Sequence, residues 1–169
     1  MSLFTELKAC LLVAPKSDIR YYLNGVLVTS NGLTATDGSM LIRIETELDL
    51  ATDKSFIICR HDLAKKIKLF TKKDDLKLAV KDHELFLNEY KLELLDGRFP
   101  DVGRAINSQF SDDVDHKEIG VNLSYLSALS KAVSVALNTK TNCAMLTMYD
   151  RGLTLSLKHV LGGLMATRL

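Results

Sequence analysis

The sequence predicts an α+β fold, with helices on one face of antiparallel sheets, assembled from βαβββ repeats. Three observations carry this prediction. An amphipathic helix pattern followed by three short β-rich runs recurs three times along the 169 residues, and such recurrence marks one structural unit copied along a chain. Turn dipeptides suited to tight hairpins separate the β-rich runs, so neighbouring strands run antiparallel. A composition that is 47% hydrophobic and 25% charged supplies a core without the excess charge of a disordered chain.

The first stretch opens with Leu3, Leu7, Cys10, Leu11 and Ala14 at helical spacing, and Pro15 stops the helix. Its strands are expected over Tyr21 to Ser30, Leu33 to Asp37 and Met40 to Glu45, with Asn31-Gly32 and Asp37-Gly38 as turns. The second stretch begins with the strand Phe56-Ile57-Ile58-Cys59, followed by a helix over Asp62 to Phe70 whose buried stripe is Leu63, Ile67 and Phe70. Leu76 to Val80, Glu84 to Leu87 and Tyr90 to Leu95 follow as strands. In the last of these Leu92 and Leu94 alternate with charged residues, as in a strand with one wet face. The third stretch starts at Glu118-Ile119-Gly120-Val121, after which Asn122 or Ser124 can cap a helix bearing Leu126, Leu129, Val133 and Leu137. Its strands are expected over Cys143 to Tyr149, Leu153 to His159 and Leu161 to Leu169, with Asp150-Arg151-Gly152 as the hairpin turn.

The polar run Asn107 to Lys117 reads as a linker between a two-repeat domain over 1–106 and a half-domain over 118–169. Its Asp112, Asp113 and Asp115 lack the Gly and terminal Glu of a calcium loop, which favours a solvated turn. With two complete units and one that lacks its opening strand, the chain holds an odd number of units, and an odd unit leaves a sheet edge or helix face uncovered. Self-association is the expected remedy.

The near-neutral balance of 22 basic and 21 acidic residues means that any DNA binding must come from where charges are placed. Neither a signal peptide nor a membrane span is legible, so a cytoplasmic location is expected. Cys10, Cys59 and Cys143 are scattered among apolar neighbours and read as core filler, with neither a disulfide framework nor a metal pair. His61, His83, His116 and His159 are equally scattered, and no nucleophile sits beside a positioned base. An enzyme is not expected, and no cofactor is implied.

The run Arg20-Tyr21-Tyr22-Leu23-Asn24-Gly25-Val26, followed by Ala35-Thr36-Asp37-Gly38-Ser39-Met40-Leu41, resembles the second domain of the bacterial DNA polymerase III β subunit, the β sliding clamp family. Leu95-Asp96-Gly97-Arg98-Phe99-Pro100-Asp101 resembles that family's join between its second and third domains. Glu118 to Tyr125 resembles a strand and helix start in the third domain, and Met165-Ala166-Thr167-Arg168-Leu169 is similar to the family's C-terminal Met-Pro-Met-Arg-Leu. The four blocks keep the family's order. Nothing corresponds to the first domain or to the first half of the third, so the resemblance is to a shortened form with the DNA-clamp fold.

Members of that family are closed rings, lined by helices, that slide on duplex DNA through sequence-independent phosphate contacts. The resemblance implies that Lys65, Lys66, Lys68, Lys72 and Lys73 of the second helix region face DNA, together with Lys8 and Lys131. Without the resemblance, such a run is an ordinary solvated helix face. Arg20, Tyr21 and Tyr22 match a family loop that touches DNA, where an aromatic can stack on a base.

The resemblance also implies a pocket for partner peptides with hydrophobic anchors. Its matched positions are Leu23, Thr36, Gly38, Ser39, Met40 and Leu41, then Pro100 and Ala105, and finally Gly163, Met165, Ala166, Thr167 and Arg168. Ser39-Met40 stands where the family has His-Arg, which removes one cation from the pocket rim. Ala166 and Thr167 replace Pro and Met, and Gly162-Gly163 strips side chains from the last strand, so the wall is shallower.

Two functions follow from this reading. One is a processivity factor that encircles duplex DNA as a homo-oligomeric ring and binds a replicative DNA polymerase and other proteins carrying clamp-binding motifs, with a clamp loader as a further implied partner. About twelve units in a family ring and three per chain give about four copies, a tetramer. The other is a clamp-like decoy or interaction module that captures such peptides without encircling DNA; a subunit mixing into a full-length clamp is a third arrangement.

Overall fold

Helix α1 (Leu3–Val13) ends at Ala14, immediately before Pro15, and its Leu7, Cys10 and Val13 are buried as the spacing predicts. The computed structural model describes residues 2–50, 52, 54–109, 120–139, 144–149 and 151–166. After α1 come β1 (Gly25–Thr29), β2 (Gly32–Thr36), β3 (Met40–Glu45) and β4 (Phe56–Cys59). Helix α2 (Arg60–Lys66) runs on into a 3-10 turn over Ile67–Leu69 and is followed by β5 (Leu78–Lys81), β6 (Glu84–Leu87) and β7 (Tyr90–Lys91). Helices α3 (Val102–Gln109) and α4 (Leu123–Leu137) precede β8 (Met145–Tyr149), β9 (Gly152–Leu157) and β10 (Val160–Met165).

Seven strands form one antiparallel sheet in the order β4-β1-β2-β3-β10-β9-β8, and β5-β6-β7 form a second, smaller sheet. The first and third repeats therefore share a sheet, joined where β3 pairs with β10 in the register Leu41↔Gly163 and Ile42↔Gly162. The third copy's opening run is described only from Gly120, and no strand is assigned there. Most of the expected linker lies outside the described residues, including Asp112, Asp113 and Asp115. Its first part, 107–109, belongs to α3.

Helices α1 and α4 lie side by side on one face of the large sheet, with Leu7, Cys10, Leu129, Val133, Val26 and Ile42 in a single core. Leu63 and Ile67 of the α2 region join the same core. Three helices thus cover one face, while α3 lies on the other, where Val102 and Ile106 pack with Leu23, Ile57 and Phe99 in a second cluster. Asn122 caps α4, its Oδ1 accepting from the Ser124 and Tyr125 N–H groups at 2.9 and 3.4 Å. At the other end Asn138 takes the left-handed conformation that closes a helix.

Three expected elements differ. Tyr21–Leu23 is a 3-10 turn, not the start of a strand. The Asn24 side chain brackets Asp18, accepting from its N–H at 2.7 Å and donating to its C=O at 3.0 Å, and the Asp18 carboxylate takes the Arg20 N–H at 2.8 Å. Such side-chain turns compete with extended backbone. Leu92 still reaches β6, its N–H donating to Leu85 C=O at 2.8 Å, but residues 93–95 cross to the large sheet, where Leu95 N–H donates to Ile57 C=O and Cys59 N–H to Glu93 C=O, both at 2.8 Å. Helix α3 appears where no helix was expected, started by Asp101, whose carboxylate accepts the Arg104 N–H at 2.9 Å.

Cys10 and Cys59 are buried and free, and burial pushes the Cys10 thiol well above its ordinary value. One acid is also buried: Glu6 of α1 lies 3.9 Å from His159 Nε2, which has no hydrogen-bond partner among the described residues. Desolvation raises the Glu6 pKa and, with the charge of Lys158, lowers that of His159.

Candidate functional site

The turn between β2 and β3 is wired by its own side chains. Asp37 Oδ1 accepts the N–H groups of Ser39 and Met40, both at 2.8 Å. Thr36 Oγ1 accepts from Gly38 N–H at 3.0 Å and donates to Met40 C=O at 2.8 Å. Because β10 pairs with β3, Met165 arrives beside this turn, and its N–H donates to Ser39 C=O at 2.9 Å. Residues separated by more than a hundred positions are thereby fastened to one backbone knot.

A cavity of about 200 Å³ opens over this seam on the face opposite α1 and α4. Leu41 and Gly163 face each other across the β3–β10 pair, and Gly163, having no side chain, leaves the space beside Leu41 open. Thr36, Gly38, Ser39 and Met40 line one side, and Met165 and Leu164 another. Leu23 and Pro100 complete the wall together with Val102. The lining is mostly apolar with a few polar groups at the rim, the chemistry that accepts hydrophobic side chains.

Nine of the positions matched from the sequence thus surround one cavity. Ala105 lies on α3, Ala166 follows Met165 with its N–H donating to Arg151 C=O at 2.8 Å, and Thr167 and Arg168 lie outside the described residues. Val102 and Leu164 line the cavity without having been read from the sequence. A legible signal for Val102 existed: Asp101 as a helix cap, then Val102 and Ile106 four apart.

Arg20 also belongs to this rim. Its guanidinium forms a paired bond with the Asp18 carboxylate at 3.0 and 2.9 Å and donates to Asp37 C=O at 3.0 Å. Hydrogen bonds from the Arg20 side chain and backbone hold the Asp18 pKa down at about 2. Gly38 makes this approach possible: its φ is +90°, and a Cβ there would lie 2.8 Å from the guanidinium. The cation missing at Ser39-Met40 has a counterpart delivered from a different segment. Tyr21 and Tyr22 pack edge to face beside Gly97, with Tyr21 exposed.

The lysines divide by use. Lys8 and Lys131 are exposed on α1 and α4, and Lys65, Lys68 and Lys73 are exposed in and after α2. Lys66 is half-buried, paired with Asp62 and bonded to Lys91 C=O. Lys72 donates to the Asn138 side chain at the end of α4. Arg60, which opens α2, is spent on structure. Its guanidinium reaches the C-terminal carbonyls of α1, Ala14 C=O at 2.9 Å and Leu11 C=O at 3.2 Å, and burial lowers its pKa.

Compared with solved structures, the chain superimposes on the DNA polymerase sliding clamp of Pseudomonas aeruginosa with a TM-score of 0.74 at 19% identity, covering 99% of this chain and 65% of that one. The fold is that of the sliding clamp. The Helicobacter pylori β clamp gives a TM-score of 0.74 at 15% identity, over 99% of this chain and 64% of that one. The DNA polymerase β subunit of Streptococcus pyogenes gives 0.71 at 15%, with the same coverage. In sequence, the chain is 28% identical over 102 residues to the β sliding clamp of Pseudomonas aeruginosa, matching 54% of this chain but only 28% of that protein. No family model matches. The chain therefore spans less than two thirds of the length of the sliding clamps it matches, and the resemblance read from its sequence to a shortened clamp is borne out.

Proposed function

We propose that this protein is a sliding-clamp-like processivity factor: a homo-oligomeric ring around duplex DNA whose cavity binds hydrophobic-anchored peptides of a replicative polymerase and other partners. The observation that carries the proposal is the division of labour between the two faces of one sheet. One face bears α1, α2 and α4 with Lys8, Lys65, Lys68, Lys73 and Lys131 exposed, and the other bears the Met165–Ser39 seam with its cavity. Phosphates repeat along any duplex, so a lysine-bearing helical wall holds DNA without fixing a sequence. In this reading the two-repeat domain over 1–106 and the half-domain over 118–169 meet at the β3–β10 seam. The work is binding, not catalysis, and it belongs in the cytoplasm; among the described residues no helix is long and apolar enough to cross a membrane.

Retention on circular and linearised duplex DNA tests the ring, since a topological link is lost from free ends. Changing Lys65, Lys68 and Lys73 together to Glu should abolish retention while peptide affinity stays within about twofold. Met165→Glu should do the reverse, because a carboxylate would be desolvated against apolar anchors. Peptide binding by the native chain without any retention on circles would replace the ring with the peptide-capturing module, and parallel loss of both activities in either variant would refute the separation of sites.

A further inference from the structure

The cavity does not end at Val102. Pro100 and Val102 also form one side of a second hollow of about 370 Å³, whose floor is the cross-strand row Leu27, Thr34 and Arg43. Alternation along β3 puts Leu41 and Arg43 on the same outer face. The β3–β10 register sets two cross-strand pairs side by side there, Leu41 opposite Gly163 and Arg43 opposite Leu161. The first pair floors the cavity and is open because Gly163 has no side chain. The second presents a cation. Arg43 differs in employment from the arginines already described, since Arg20 is held by Asp18 and Asp37 and Arg60 by the carbonyls of α1. Among the described residues Arg43 donates no hydrogen bond, and the ion pair it makes, to Glu45 Oε1 at 3.6 Å, joins two exposed side chains. That separation exceeds the 2.7–2.9 Å or so of a charge-assisted bond, and exposed pairs of this kind contribute little. Asp101, the acid that lines the same hollow, has Oδ1 engaged by the Arg104 N–H at 2.9 Å.

We propose that Arg43 is a specificity-determining residue of the peptide site: it binds the carboxylate of an Asp or Glu that stands two residues from the hydrophobic anchor of the partner peptide. The proposal rests on the reading of the cavity as a peptide site. Two arguments select this occupant. First, the second hollow is continuous with the cavity through Pro100 and Val102, so a chain anchored in one passes over the other. Second, the spacing agrees. An extended peptide advances about 3.2–3.4 Å per residue, so its sheet-facing side chains recur at the same interval that separates Leu41 from Arg43 along β3. With an anchor over Leu41 and Gly163, the next side chain on that face falls over Arg43 and Leu161. The guanidinium offers a planar fork that matches both oxygens of a carboxylate, which the distant Glu45 does not exploit.

Calorimetry of the full chain with short synthetic peptides tests this, each peptide carrying a Phe anchor and either Asp or Asn two residues before or two residues after it. At one of the two positions the native chain should bind the Asp peptide about tenfold more tightly than its Asn counterpart. Arg43→Gln should abolish that preference and Arg43→Glu reverse it, while both variants bind the Asn peptide within about twofold of the native chain. Glu45→Gln, which removes the competing carboxylate, should strengthen the preference. The comparison of Asp with Asn on the native chain needs no variant, so it stands even where a substitution disturbs folding. Equal affinity for Asp and Asn at both positions overturns the proposal and leaves the peptide site itself intact. A preference that survives Arg43→Gln in a chain with native circular dichroism belongs to a different cation and overturns it equally. Failure of every anchor peptide to bind removes the peptide site and this proposal together.

Discussion

Replacing Gly162 by Ala tests the seating of α4 on β10, on which the position of the cavity depends. Gly162 faces the helical side, and a Cβ there would stand 2.9 Å from both Cγ and Cδ1 of Leu129. Leu129 is fully buried at the centre of α4, so it has no solvent into which to swing. Forcing a methyl group into such packing costs about 1–3 kcal/mol. With a urea dependence of about 2 kcal/mol per molar, the unfolding midpoint should fall by about 0.5–1.5 M. Leu129→Ala alone should cost about 2–5 kcal/mol through the void it leaves. The double variant decides the matter, because the added methyl occupies part of that void and the two losses should sum to more than the pair costs together. Simple additivity, or a Gly162→Ala chain as stable as the native one, would refute the claim that the glycine exists to admit Leu129.

Two further outcomes follow from groups already described. Gly38→Ala places a side chain at φ +90° and against the Arg20 guanidinium; unfolding should cost about 1–3 kcal/mol less, and affinity for an anchor peptide should drop several-fold as Arg20 is displaced, both readable by urea titration and calorimetry. Glu6 has a folded-state pKa raised above 4.5 by burial, so its contribution is full below 4.5 and is lost as pH rises through the folded value. Glu6→Gln should therefore stabilise the protein at neutral pH and not at pH 4. His159, lowered below 6.5, works in the opposite sense, losing stability as pH falls from 6.5 through its folded value. A native-minus-variant difference independent of pH between 4 and 8 would contradict the Glu6 assignment.

Elements defined by local chemistry were legible in the sequence: the Pro15 stop, the Asn122 cap, and the hairpins at Asn31-Gly32 and Asp37-Gly38. The tyrosines at 21 and 22 have strand propensity, yet the Asp18 and Asn24 side chains impose a turn, and one-dimensional periodicity does not weigh the two. Helix α3 escaped notice because only Val102, Ala105 and Ile106 are apolar in a polar run, and it is the docking of Val102 and Ile106 on Leu23, Ile57 and Phe99 that stabilises it. Side-chain alternation tells which face a strand buries but not which strand lies beside it; that the β3 and β10 segments line one pocket came only from family resemblance, and their pairing was not read from the sequence. For the cavity, residues matched to that family converged, whereas Arg20 took a place at the rim that its sequence neighbours Tyr21 and Tyr22 did not suggest.

The Met165–Ser39 bond has a bearing on biosynthesis. During translation the Thr36–Met40 knot emerges early, but its partner strand is delivered more than a hundred residues later, and contacts so distant in sequence form slowly. Until then the apolar groups of Leu23 and Leu41 lack their far wall. The cavity is therefore complete only once the polypeptide has reached residue 165 and folded back on the Thr36–Met40 turn, so the proposed peptide site would be missing from a shorter nascent chain.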